Sequence, residues 1–278
     1  MTTPEPFGTR LRHAMDTRGA LCAGIDPHAA LLREWGLNDD LAGLERFTRT
    51  VVEALADRVA VLKPQSAFFE RFGSRGLAVL ERAVADARAA GALVLLDAKR
   101  GDIGSTMAAY AATYLDPASP LFSDAVTVSP YLGYGSLRPA LDDAAASGAG
   151  VFVLALTSNP EGAEVQGARA ADGRSLAQVM LDHLAAENAG ASPLGSYGAV
   201  VGATLGHTEA DLAINGPLLA PGIGAQGATP ADLPALFGEQ ARNVVPSVSR
   251  GILRAGPSPA GLREAAERLT DEIRTALA

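Results

Sequence analysis

The segment Leu93-Val94-Leu95-Leu96-Asp97-Ala98-Lys99-Arg100-Gly101-Asp102-Ile103 changes from apolar to charged within a few residues. Its apolar start predicts a buried strand that ends where the charges begin. Because side chains alternate along a strand, we expect Asp97 and Lys99 to point the same way, with Asp102 close to them after a turn at Gly101. Carboxylates held beside an ammonium group are typical of catalytic sites.

Two other interpretations of this charged segment remain open. A surface cluster of ion pairs at the start of a helix, with Asp102 as the N-cap, would look the same and contribute only about 0–1 kcal/mol. A metal site is disfavoured, because Lys99 lies between the carboxylates and its charge would oppose a second cation. The composition and pattern of the rest of the sequence distinguish between these interpretations.

The composition of the 278-residue chain is that of a globular protein, with 48% hydrophobic and 19% charged residues. A net charge of −8 without a basic run argues against binding to nucleic acids or anionic membranes. No apolar run reaches the ~20 residues of a membrane helix, and the first six residues have no signal-peptide pattern. Because the single cysteine, Cys22, lies in an apolar run, we expect a cytoplasmic protein.

Apolar segments alternate with helical patterns along the whole chain. Strands are predicted at about residues 21–25, 59–62, 93–96, 125–128, 150–156, 199–203, 217–220 and 243–249. Helices are predicted at about residues 7–18, 41–56, 76–90, 105–115, 137–146, 175–189, 209–213 and 260–277. Eight such units predict a single α/β domain over residues 1–278, a (β/α)₈ TIM barrel whose N-terminal helix, about residues 5–18, covers one end.

Polar side chains follow the predicted strands, at the end where the active sites of such barrels lie. These residues are Asp26, Lys63, Asp97, Lys99, Ser129, Thr157, Thr204, Gln226 and Arg250. The loops after the last two strands contain Gly222 to Gly227 and Ser249-Arg250-Gly251, and their glycines and guanidinium group predict a phosphate site. An open doubly wound sheet is the alternative fold, but no G-x-G-x-x-G follows the first strand.

The segment Asp97-Ala98-Lys99-Arg100-Gly101-Asp102 resembles the D-x-K-x-x-D signature of the orotidine 5′-phosphate decarboxylase family. Two segments, Lys99-Arg100-Gly101-Asp102-Ile103 and Lys63-Pro64-Gln65, resemble the sequences of the longer bacterial branch of that family. Asp26, the Pro-Gly-Ile loop and Arg250 also occur in the family's order. The resemblance implies decarboxylation of orotidine 5′-monophosphate to UMP and CO₂, the last step of de novo pyrimidine nucleotide synthesis, with no metal and no organic cofactor.

The resemblance further implies a role for each site residue. The catalytic residues would be Lys63, Asp97, Lys99 and Asp102, with Lys99 protonating the ring carbanion. The substrate contacts would be Asp26 and Lys63 at the ribose, Ser129, Thr157 and Ser158 near the pyrimidine, and Gln226, Arg250 and Gly251 at the phosphate. In a homodimer, Asp102, Ile103 and Thr106 would reach the neighbouring site. Arg100 could contact either the substrate or the dimer interface.

Two other functions remain in view. Relatives with the same barrel signature act on sugar phosphates and use magnesium; the lysine at position 63 and the arginine at position 250 favour the nucleotide enzyme instead. A non-catalytic nucleotide-binding barrel is the second alternative. It is disfavoured because a binding module has no need of carboxylates placed against its ligand.

Overall fold

The computed structural model describes residues 4–277, and its eight parallel strands form one closed barrel in which β8 pairs with β1. The strands are β1 Cys22–Ile25, β2 Val61–Pro64, β3 Leu93–Arg100, β4 Ala125–Val128, β5 Gly150–Leu156, β6 Tyr197–Val201, β7 Leu218–Pro221 and β8 Val244–Val248. Cys22 pairs with Val61 on one side and with Ser247 on the other, so the barrel is closed through β1. The predicted (β/α)₈ fold is confirmed.

Helices follow the strands along the chain. They are α1 Phe7–Arg18, α2 Ala29–Glu34, α3 Leu41–Leu55, α4 Ala67–Glu70, α5 Gly73–Ala89, α6 Gly104–Leu115, α7 Arg138–Ser147, α8 Gly162–Gln166, α9 Leu176–Glu187, α10 Leu233–Phe237, α11 Arg250–Leu253 and α12 Pro259–Leu277. Short 3₁₀ turns lie at Tyr134–Leu137, Ala203–Leu205, Pro230–Asp232 and Gly238–Asn243. The apolar faces of the long helices and the outward side chains of the strands form the larger hydrophobic core.

A second, smaller core fills the barrel interior at the amino end of the strands. Phe7 and Leu11 of α1 pack there against inward side chains such as Leu95 and Phe152. Gly150 makes room for this contact, because a Cβ at that position would lie 2.3 Å from Cδ1 of Phe7. With α1 on the amino end, the carboxyl ends of the strands are left to form the site.

Among the differences between the predicted and observed elements, two strands end later than predicted and one helix is absent. Strands β2 and β3 extend past the predicted ends, so that Lys63, Asp97 and Lys99 lie inside strands rather than after them. The helix predicted at residues 209–213 does not form. In that segment the Thr208 and Asp211 side chains accept hydrogen bonds from nearby backbone N–H groups, and such local bonds compete with a helix.

Candidate active site

Asp97 lies at the centre of a hydrogen-bonded cluster on the inner face of the barrel. Its Oδ2 accepts from Lys63 Nζ and from Gln65 Nε2, both at 2.9 Å. Its Oδ1 accepts from Lys99 Nζ at 2.5 Å and from Thr127 Oγ1 at 2.9 Å. Because four donors saturate the two oxygens, the carboxylate has one fixed orientation.

The charged groups of this cluster stabilise one another's ionised forms. Burial lowers the pKa of Lys63, but the carboxylates of Asp97 and Asp26 outweigh burial and raise it above its ordinary value. Burial raises the pKa of Asp97, but Lys63 and Lys99 outweigh burial and hold it well below its ordinary value. Lys63 and Asp97 are therefore an ionised pair in a nearly dry environment, with side chains 8% and 9% exposed.

Lys99 lies on an irregular part of β3. Its φ is 49°, in the left-handed region, which costs a non-glycine residue on the order of 1–2 kcal/mol. The pairing of β3 with β4 shifts register at the same place, between Leu96 and Arg100. Ala98 joins the outer core, while the Lys99 side chain is 45% exposed and lines the cavity. The predicted shared direction of Asp97 and Lys99 is thus observed, on a bulged strand.

A cavity of about 620 Å³ opens above this cluster at the carboxyl ends of the strands. The predicted site residues in its wall are Asp26, Lys63, Asp97, Lys99, Thr157, Ser158, Gln226 and Arg250. Two buried oxygens in the wall, Asp26 Oδ1 and Ser249 Oγ, have no hydrogen-bond partner within residues 4–277. Buried polar atoms of this kind are normally paired, so they are suited to a polar ligand.

A second cavity of about 540 Å³ adjoins the first and shares Lys99, Leu154, Thr157 and Asn159 with it. Ser129 lies in the wall of this second cavity. Thr157 is held by its own loop, since its hydroxyl donates to Asn159 Oδ1 at 2.6 Å and accepts from Gln166 Nε2 at 2.7 Å. Ser158 Oγ donates to Gln226 Oε1 at 2.9 Å, which joins the loops after β5 and β7.

Asp102, Ile103, Thr106 and Gly251 do not line either cavity. The expected closeness of Asp102 to Asp97 and Lys99 is not found within this chain: its Oδ1 accepts from the N–H of Ile103 instead. The backbone at Gly101 packs so closely on the residue after β4 that a Cβ would lie 2.4 Å from the carbonyl oxygen of Ser129. The residues after it leave the barrel interior, and Ile103 is 62% exposed.

Arg100 contacts protein side chains. Its guanidinium group donates to Glu70 and, at 3.2 Å, to the hydroxyl of Tyr114, and it lies 5.7 Å from the ring centre of Tyr110. These partners lie on α4 and α6, so Arg100 connects β3 to helices outside the barrel. Arg100 is also absent from the walls of both cavities.

Several cavity residues were given no role of their own in the sequence analysis, although Gln65 and Ser249 were named there as parts of motifs. Gln65 and Thr127 bind Asp97 directly, and Ser249 and His28 line the wall. The sequence contains a signal for two of these residues, Gln65 and Thr127. Gln65 is two residues after Lys63 and so shares its side of an extended chain, and Thr127 is the one polar residue of the strand Ala-Val-Thr-Val. His28 packs against Phe68, with ring centres 4.3 Å apart.

Residues 4–277 contain no cluster of three or more His, Cys, Asp or Glu side chains arranged to hold a metal ion. None of the helices in that range is long and apolar enough to cross a membrane.

Comparison with known proteins assigns the family. Residues 19–267 match the model of the orotidine 5′-phosphate decarboxylase / HUMPS family. The chain belongs to this family. Orotidine 5′-phosphate decarboxylases of Streptomyces coelicolor and Salinispora arenicola are 75% and 65% identical to it over 274 residues, which are 98% of this chain and 99% of each relative. The resemblance seen in the sequence, and the enzyme class it implied, are therefore confirmed.

Solved structures agree with this assignment. A crystal structure from Streptomyces avermitilis, provisionally assigned to orotidine 5′-phosphate decarboxylase, has a TM-score of 0.97 and 71% identity, over 99% of this chain and 97% of that one. The structure of Leishmania donovani OMP decarboxylase has a TM-score of 0.75 and 32% identity, over 98% of this chain and 99% of that one. The decarboxylase family and the barrel are thus supported by both sequence and structure.

Proposed function

We propose that the protein decarboxylates orotidine 5′-monophosphate to UMP and CO₂ without a metal or an organic cofactor. The observation that carries the proposal is the row of Lys63, Asp97 and Lys99 at the floor of the main cavity. The relatives of high identity carry the name of this activity. Cofactor independence is supported by the charges, because two lysines already neutralise Asp97 and leave it little attraction for a cation.

Lys99 is proposed to act twice in the reaction. When the bond between the pyrimidine C6 and its carboxylate breaks, the electron pair stays on C6 and CO₂ leaves. The ammonium group of Lys99 stabilises this negative charge and then transfers a proton to C6, which gives UMP. Water returns the proton to Lys99. A partly exposed lysine anchored at its tip by Asp97 is suited to both tasks.

Asp97 is proposed to disfavour the bound substrate more than the transition state. The two lysines hold it ionised, so its charge repels the carboxylate of the substrate and repels the departing, CO₂-like group much less. Lys63, 8% exposed, is proposed to fix the position of the Asp97 carboxylate rather than to meet the reacting carbon.

The remaining cavity residues are proposed to bind the nucleotide. Asp26, with its unpartnered Oδ1, and Lys63 would take the ribose hydroxyls. Ser129, Thr157 and Ser158 would meet the pyrimidine. The phosphate would lie between Gln226 and the start of α11, where Arg250 supplies a guanidinium group and Gly251 a backbone N–H. Binding energy from the phosphate, remote from C6, can hold the ring in place.

We also propose a homodimer in which Asp102, Ile103 and Thr106 reach the neighbouring site. Ile103 is 62% exposed, and the loop after β4 exposes the large side chains of Tyr131 and Leu132. Complementation tests this arrangement. Lys99→Ala and Asp102→Ala proteins, each inactive alone, should regain about a quarter of the wild-type activity when refolded together at equal amounts, because half of the dimers then have one intact site. No recovery would refute a shared site.

The proposed compartment is the cytoplasm. Cys22, the single cysteine of the chain, is a free thiol inside the barrel, and burial raises its pKa to about 12. A thiol protonated and enclosed in this way is compatible with a reducing compartment. Fractionation of cells that make the protein would test the proposal.

The activity is tested by following the ultraviolet absorbance of orotidine 5′-monophosphate with purified protein in excess EDTA. Rapid loss of the substrate band, with UMP as the product, is the expected result. Turnover of a sugar phosphate that requires magnesium would instead assign the protein to the magnesium-using relatives. Tight UMP binding without turnover under any condition would leave a nucleotide-binding barrel.

A further inference from the structure

The hydroxyl of Thr127 closes a ring of hydrogen bonds around Lys99. The backbone N–H of Lys99 donates to Thr127 Oγ1 at 3.0 Å, and Thr127 Oγ1 donates to Asp97 Oδ1 at 2.9 Å. The same Oδ1 accepts from Lys99 Nζ at 2.5 Å. Both ends of the lysine, its backbone and its ammonium tip, are therefore fixed through one hydroxyl group.

The strand register explains why this hydroxyl is needed. Leu96 pairs with Val126, and Arg100 pairs with Val128, so three residues of β3 stand opposite the single residue Thr127 of β4. The bulge takes the N–H of Lys99 out of the regular ladder, in a backbone with φ of 49°. The Thr127 side chain supplies the acceptor that the ladder no longer provides.

A hydroxyl group is the side-chain function that fits this position. It donates one hydrogen bond and accepts another at the same atom, whereas the isosteric valine can do neither. Thr127 is 1% exposed, so water has little access to replace it. Its neighbours in β4, Ala125, Val126 and Val128, are apolar and buried.

We propose that Thr127 is a positioning residue that holds Lys99 in its left-handed conformation and aims its ammonium group at the reacting carbon. The proposal deepens the proposed function and rests on it for the identity of the reaction. Thr127 touches no reacting atom in this account. Its effect on the rate comes from the placement of Lys99, and a misplacement of about 1 Å can cost about 100-fold in rate.

The test compares Thr127→Val with Thr127→Ser. Thr127→Val should lower kcat for orotidine 5′-monophosphate by about 10- to 100-fold, with KM and the Kd of UMP within about threefold of wild type. Thr127→Ser retains the hydroxyl and should stay within about fivefold of the wild-type kcat. Thr48→Val is the matched control, because Thr48 is 2% exposed in α3, outside the site, and its hydroxyl has no partner within the described residues. It should keep the wild-type kcat.

Hydrogen exchange of the Lys99 amide gives a second readout that does not depend on turnover. Exchange should be at least about tenfold faster in Thr127→Val than in wild type and unchanged in Thr48→Val, because the acceptor of that N–H has been removed. If wild-type protein does not decarboxylate orotidine 5′-monophosphate, the proposed function fails, and this exchange measurement still decides the role of Thr127.

Three results would overturn the proposal. The first is a Thr127→Val kcat within about twofold of wild type. The second is an equal loss in the valine and serine variants, which would show that retaining the hydroxyl gives no advantage at this position. The third is unchanged exchange at Lys99. If Thr127→Val does not fold, Thr127→Ala and Thr127→Ser make the same comparison, since they differ by the hydroxyl alone: a much lower kcat in the alanine variant supports the proposal, and equal values refute it.

Discussion

Lys63 Nζ lies 2.9 Å from Asp97 Oδ2, and both side chains are less than one-tenth exposed. Removal of one partner from such a pair leaves the other charge buried without compensation. We expect Asp97→Ala to lower the free energy of unfolding by about 3–5 kcal/mol, measured by urea denaturation at fixed protein concentration. Asp142→Ala is the control: that side chain is 64% exposed, and its loss should change stability by at most about 0.5 kcal/mol. Equal effects of the two substitutions would contradict the buried pair.

The same pair predicts how stability depends on acid. The pKa of Asp97 in the folded protein lies below its ordinary value of 3.8, so its contribution is present above that pH and is lost as pH falls toward the folded pKa. The stability advantage of wild type over Asp97→Asn should therefore shrink by up to about 1.4 kcal/mol per pH unit below pH 3.8. Urea unfolding of both proteins at several acidic pH values measures this difference.

Lys63 sets the alkaline side of that profile. Its folded pKa lies above the ordinary 10.5, so its contribution is present below that pH and is lost only as pH rises through the folded value. Between pH 5 and 9 both members of the pair should thus stay charged in wild type, so their titration contributes no pH dependence to its free energy of unfolding in that range. A wild-type advantage over Asp97→Asn that does not shrink in acid would show that another group controls the pair.

Arg250 is expected to supply most of the side-chain charge for the phosphate. Arg250→Ala should raise the Kd of UMP by about 10- to 100-fold, as expected for a charge-assisted contact of about 1.5–3 kcal/mol. Isothermal titration calorimetry measures the change. Arg254→Ala is the control, because Arg254 is exposed at the other end of α11 and outside the cavity wall. Similar affinities in the two variants would move the phosphate site elsewhere.

Asp124 is expected to hold α1 on the barrel. Its carboxylate, 4% exposed, pairs with Arg10 of α1 at 2.5 Å and accepts from the N–H of Val94 at 2.9 Å, with Arg88 at 3.3 Å. Asp124→Ala should lower the free energy of unfolding by about 3 kcal/mol, because it leaves the buried N–H of Val94 without an acceptor and removes the carboxylate that pairs with Arg10 and Arg88. Arg10→Ala should lower the free energy of unfolding by less, because the Arg10 side chain is 26% exposed. The reverse order in urea denaturation would refute this role.

The fold could be predicted because the repeating signal is strong and local. Apolar runs such as Gly150–Leu156 have no solvated face, and a buried parallel sheet is the structure in which strands of that kind are covered on both sides. The polar residues at the strand ends then led to Lys63, Asp97, Lys99 and Arg250, which do line one cavity. The short helix predicted at residues 209–213 failed because side-chain hydrogen bonds in that loop are invisible to periodicity.

The finer geometry of the site could not be predicted from alternation alone. Regular alternation correctly predicted that the side chains of Asp97 and Lys99 point the same way. The strand between them is nevertheless irregular, with a bulge opposite β4 and a left-handed backbone at Lys99. Thr127 and Gln65 contact Asp97 from neighbouring strands, and such contacts depend on register, which is set by three-dimensional packing. Asp102 was expected close to the pair because Gly101 turns the backbone after Lys99, but its carboxylate accepts from the N–H of Ile103, and Gly101 packs against the carbonyl oxygen of Ser129.

The role of Lys99 is tested most directly by the turnover of orotidine 5′-monophosphate in Lys99→Ala, measured beside the affinity of the same protein for UMP. We predict a loss of at least about 10⁴-fold in kcat, since both charge stabilisation and the proton donor are removed, with UMP affinity within about tenfold of wild type. Turnover near the wild-type rate in a protein that still binds UMP would contradict it.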